Sequence, residues 1–66
     1  MKLFQYAVIL HPTKEETEKG IPAKLVVEVK TCLANDQNGA ILIAARDIPQ
    51  EFDSARDRLE VAVRPF

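Results

Sequence analysis

At 66 residues, 47% hydrophobic and 29% charged, the chain has the composition of one small folded domain rather than of a disordered segment. Its net charge of −1 and pI near 5.7 give no basic excess to drive phosphate contacts, which weighs against nucleic acid as the partner. One cysteine, Cys32, and one histidine, His11, exclude an internal disulfide and a Cys/His zinc centre.

The first predicted element is a strand from Lys2 to His11, rich in Phe, Tyr, Val, Ile and Leu with no breaker. Phe4, Tyr6, Val8 and Leu10 share one face, and Leu3, Gln5, Ala7 and Ile9 share the other. Apolarity on both sides suits a central strand. The segment also superficially resembles a signal peptide, but Gln5, the strand-like alternation and the lack of a small-residue cleavage site argue against one. No stretch approaches the ~20 apolar residues of a membrane span.

His11 to Pro22 is a charged loop bracketed by Pro12 and Pro22. Thr13 followed by Glu16 has the spacing of a capping box, which predicts a helical turn over Lys14–Lys19 ending at Gly20. His11 with Glu15, Glu16 or Glu18 could form a metal or acid–base cluster. The carboxylates are interleaved with lysines and no second histidine frames them, so the expectation is a solvated loop.

A second strand is expected over Ala23–Leu33, with Leu25, Val27, Val29, Thr31 and Leu33 facing inward and Lys24, Val26, Glu28, Lys30 and Cys32 outward. Asn35 or Asp36 then offers an N-cap for a helix whose stripe is Ala40, Ile41, Ala44, Ala45 and Ile48. Asn38 and Gly39 weaken its first turns; a helical glycine costs about 1 kcal/mol relative to alanine. Pro49 ends the helix or bends it into a short turn through Phe52. A third strand over Arg58–Phe66 points Leu59, Val61 and Val63 one way and Arg58, Glu60, Ala62 and Arg64 the other. Pro65 cannot donate a ladder hydrogen bond and places that strand at an edge or at its end.

The expectation is therefore a single α+β domain over residues 1–66, in the order β-β-α-β. Its three-stranded sheet has order 2-1-3, strand 1 central and antiparallel to both neighbours, with one helix on one face.

The remaining chemistry is sparse. Cys32 lacks a base fixed near it in sequence and reads as an inert thiol. Phe4 and Tyr6 could stack bases on an open sheet, but they lie on the face expected beneath the helix. Asp47, Glu51, Asp53, Asp57 and Glu60 alternate with Arg46, Arg56 and Arg58 and read as a solvated helix end rather than as paired catalytic carboxylates. The two glycines make no phosphate loop. No catalytic residue, cofactor or metal ligand is assigned, and an enzyme is not expected.

One helix covers one face of a three-stranded sheet. The uncovered face is expected to present Leu3, Gln5, Ala7, Ile9, Val26 and Ala62 as the centre of an interface, with charges around them. A short chain buries only about 60% of its unfolded surface, so self-association or another protein is the supplement to expect. The leading functional expectation is a non-catalytic, self-associating protein–protein interaction module, a homodimer or small oligomer. The alternative is a small nucleic-acid binder with Lys24, Lys30, Arg58 and Arg64 as a basic patch on the open face.

Taken together, "KLFQYAVILHP", "LVVEVKTCLANDQNGAILIAARDIP" and "RLEVAVRPF" resemble a family of small uncharacterised proteins encoded by tailed bacteriophages, along nearly the whole chain. "NDQNG" departs from the acidic and lysine residues that open the helix in that family, and this puts the helix register in doubt. The resemblance implies a phage accessory role, virion-associated or modulating a host or phage protein, and carries no functional residue. With the lone cysteine, it implies a cytoplasmic location, in the host or the virion.

Overall fold

The computed structural model describes all residues, Met1–Phe66. Strand β1 spans Lys2–Leu10, helix α1 Lys14–Glu18, strand β2 Lys24–Ala34, helix α2 Gln37–Arg46 and strand β3 Leu59–Pro65, with a 3₁₀ segment over Gln50–Arg58 before β3. The sheet order is β2-β1-β3, and β1 is antiparallel to both neighbours. The α+β architecture and the central place of β1 are thus as the two-sided apolarity of that strand implies.

The local signals act where their chemistry predicts. Glu16 N–H donates to Thr13 Oγ1 at 3.1 Å and Thr13 N–H to Glu16 Oε1 at 2.9 Å, closing the capping box of α1. Gly20 follows with φ 80°, a left-handed conformation that a side chain would strain. Asp36 caps α2, its Oδ1 accepting from Gly39 N–H at 2.9 Å. The chain leaves α2 at Asp47, ahead of Pro49, which disfavours helical geometry at Ile48.

The two core clusters lie between α2 and one face of the sheet, while Ala7, on the other face, and Ala55, in the 3₁₀ segment, are buried outside them. Tyr6, Val8, Val27 and Ala44 form one buried cluster and Phe4, Ala34 and Ala40 another, with Cys32, Ile43 and Val63 touching both. Ala40 and Ala44 are fully buried, so small side chains let α2 sit close upon β1. Ile43 takes the packing place expected of Ala45, which is exposed.

β2 turns over relative to its expected orientation. It has 11 residues against 9 in β1, and irregularities between Tyr6 and Val8 and between Val8 and Ile9 absorb the excess. Pairing of Phe4 with Cys32 and Tyr6 with Lys30 puts the even residues of β2 on the helix side. Only Val27, between the two bulges, brings an odd residue into the core. Leu25, Val29 and Leu33, expected inside, are 50, 61 and 57% exposed. The face of β1 that meets the helix sets the face of β2 through pairing, and alternation within β2 alone does not reveal it.

Candidate interface on the open sheet face

Across the side away from α2, the register aligns the strands in rows. Leu33 of β2 stands beside Leu3 of β1. Phe66 N–H donates to Leu3 O at 2.9 Å, which brings Phe66 alongside Leu3 on the other flank. The next row is Thr31, Gln5 and Arg64, where Arg64 Nε donates to Gln5 Oε1 at 2.8 Å. Ala7 and Ala62 pair in the third row, and Leu25, Ile9 and Glu60 form the fourth. Ala7 and Ala62 floor a dent of about 190 Å³, bounded by Val29 and by the Gln5–Arg64 pair.

Leu3, Gln5, Ala7, Ile9 and Ala62 thus share the open face as expected. Val26 does not; it packs against the core cluster because the bulge turns it towards the helix side. Leu25, Val29, Leu33 and Phe66 join the face instead, making it more apolar than the sequence alone implies.

The four basic residues do not form one patch. Lys24 Nζ sits 5.9 Å from the centroid of the Phe52 ring, and Lys30 Nζ donates to Asp47 Oδ2 at 3.2 Å, both on the helix side. Arg58 Nη1 reaches His11 O at 3.1 Å and Glu16 Oε1 at 3.2 Å, fastening α1 to the start of β3. Arg64 alone lies on the open face, on the edge strand β3 beside Gln5.

The other candidate groups are separated or already paired. His11 Nε2 approaches Glu60 Oε1 at 2.6 Å, not the loop carboxylates, and Glu15 pairs with Lys19 at 3.4 Å. Thr13 N–H, first, and the Thr13 hydroxyl hold the Glu16 carboxyl below its usual range. Asp53 pairs with Arg56. Cys32 lies opposite Phe4, seven positions along β1 from His11, roughly 23 Å at strand rise, so the two cannot form a nucleophile–base couple. No group of three or more His, Cys, Asp or Glu is placed to hold a metal ion.

A contact missed in the sequence joins sheet to helix. Tyr6 OH donates to Asp47 Oδ2, which also accepts from Lys30. Asp47 is the C-cap of α2, where a negative charge meets the negative end of the helix dipole, and the two donors offset that penalty. The Tyr6 hydrogen bond, then Lys30, lowers the Asp47 carboxyl; the bond to Asp47 and burial push the Tyr6 hydroxyl from 10.0 to about 12. The depressed carboxyl stabilises the fold above the ordinary carboxylate range, and that contribution is lost as pH falls through its lowered value. The raised phenol stabilises below pH 10, and its contribution is lost as pH rises towards about 12. Tyr6→Phe should lower the melting temperature at pH 7 by about 5 °C. The gap from wild type should close at both pH extremes; thermal melts from pH 2 to 12 check this, and a gap constant across them would contradict the assignment.

The chain exposes 4893 Å², roughly 700 Å² more than the about 4200 Å² of a compact monomer of its mass. Its extents are 43 × 21 × 15 Å and its radius of gyration 13.0 Å, against about 11 Å for a compact domain of this length. The excess goes with this elongated shape.

Comparison with known protein families, curated proteins and solved structures finds no match for this chain. No helix is long and apolar enough to cross a membrane.

Proposed function

We propose that the protein is a non-catalytic protein–protein interaction module that self-associates through its open sheet face. The observation that carries this reading is the row of Leu33, Leu3 and Phe66, 57, 40 and 72% exposed, with Val29, Leu25 and Ile9 apolar again beyond the Thr31–Gln5–Arg64 row. Large apolar side chains left exposed together on one face mark an interface in soluble proteins. A second copy supplies the same shape and the same apolar area, which makes a two-fold contact the simplest way to cover it. The sequence resemblance sets such a module among phage accessory proteins, in the virion or bound to a host or phage protein.

Sedimentation equilibrium at micromolar concentration tests the reading. The expected mass is twice that of the 7.4 kDa chain, falling towards it on dilution. A monomer at every concentration would remove self-association. Nucleic acid is disfavoured as the partner, because the basic residues that such a surface needs are divided between the two sides of the sheet.

A further inference from the structure

We infer that two copies pack open face on open face about a two-fold axis running along β1, so that β2 of each copy lies over β3 of the other and Val29 enters the partner's dent at Ala62. The inference rests on the self-association proposed above and adds its geometry.

An axis along β1 superposes each row of the sheet on the same row of the second copy with its ends exchanged. Leu33 then lies over Phe66 of the second copy and Leu3 over Leu3, so the most exposed apolar row is covered by apolar side chains. Thr31 meets the Arg64 side of the polar row, and no two arginines are brought together. In the third row the exchange puts Val29, 61% exposed, above the floor made by Ala62 and Ala7. That dent of about 190 Å³ is where the face is hollow, and Val29 is where it stands proud. Ala7 meets Ala7 on the axis, where two small side chains let the central strands approach closely, and in the fourth row Ile9 meets Ile9 while Leu25 lies over Glu60.

The alternative two-fold axis, across the strands over Ala7, does not bring the most exposed apolar row onto itself. It sets Leu3 over His11 and the Leu33–Leu3–Phe66 row over the end of the sheet that carries His11 and Arg58. It does match Glu60 with Arg64, so the two arrangements make different demands on substitution.

The test exchanges hollow and knob. Ala62→Leu fills the dent and should leave that variant monomeric under conditions where wild type is dimeric. Val29→Ala removes the knob and should raise the dissociation constant at least tenfold. Mixed in equal amounts, the two should form a heterodimer tighter than either homodimer. The enlarged side chain at position 62 of one copy then faces the shortened one at position 29 of the other, while the second contact stays native. The double variant V29A/A62V should recover self-association.

A crosslink gives a readout that does not depend on affinity. Leu3→Cys in a Cys32→Ser background should be joined by a short bismaleimide into a covalent dimer, whereas Leu42→Cys, on the outer face of α2, should not. Absence of a preferred heterodimer, or of the crosslink at position 3 in a chain that still dimerises, would overturn this arrangement and leave the broader reading standing. A monomeric wild type would overturn both.

Discussion

Replacing Val8 by aspartate is expected to leave the chain unfolded at 25 °C, with far-UV circular dichroism of a coil and no cooperative melt. Val8 is 0% exposed and is the largest fully buried side chain, held between Val27 of β2, Val61 of β3 and Ala44 of α2. Burying its side chain stabilises the fold by roughly 1.5–3 kcal/mol. An aspartate there loses this and adds an unpaired carboxylate whose desolvation costs several kcal/mol more. A domain of 66 residues has roughly 3–10 kcal/mol in total, so the loss exceeds or consumes what is available. Val8→Ala should cost about 2 kcal/mol and stay folded in mild conditions. A folded, cooperatively melting V8D protein would contradict the placing of the core between α2 and the central strand.

The second large effect concerns assembly and spares the fold. Leu33→Glu should give a monomer with the wild-type circular dichroism spectrum, its dissociation constant raised at least about 100-fold, or ~3 kcal/mol. Leu33 is 57% exposed and outside both buried clusters, so a glutamate there remains solvated within one chain. Across a two-fold interface the substitution is made twice, and each carboxylate is desolvated against apolar side chains. Size-exclusion light scattering over a dilution series measures it. Unfolding of L33E would instead place Leu33 in the core, and an unchanged dimer would move the interface away from this face. The pairing of V8D and L33E is informative because both add one negative charge, yet on opposite faces of a single sheet.

Some features follow from the sequence by itself because their causes are local. Thr13 and Glu16 close a capping box within one turn, Asp36 caps α2 from three residues away, and Gly20 takes the left-handed conformation after α1. The order β2-β1-β3 was legible from β1, whose two faces are both apolar and so need a neighbour on each edge and cover on one side. That Leu3, Ala7, Ile9 and Ala62 share the face away from α2 followed from that same strand and its partner β3, which pair without a bulge.

Only the tertiary structure decided which way β2 faces. Its alternating sequence presents a more apolar set at Leu25, Val27, Val29 and Leu33, which taken alone belongs inside. Yet Cys32 and Lys30 are paired to Phe4 and Tyr6, and that pairing turns all of the set but Val27 outwards. Lys30 accepts the helix side because its long stem reaches Asp47 at the end of α2, and Lys24 because its ammonium lies over Phe52. Strand period tells which residues share a face; register with a neighbour, shifted here by two bulges, tells which face is covered. The open face, and with it the proposed interface, is therefore a property of the paired sheet rather than of any one strand.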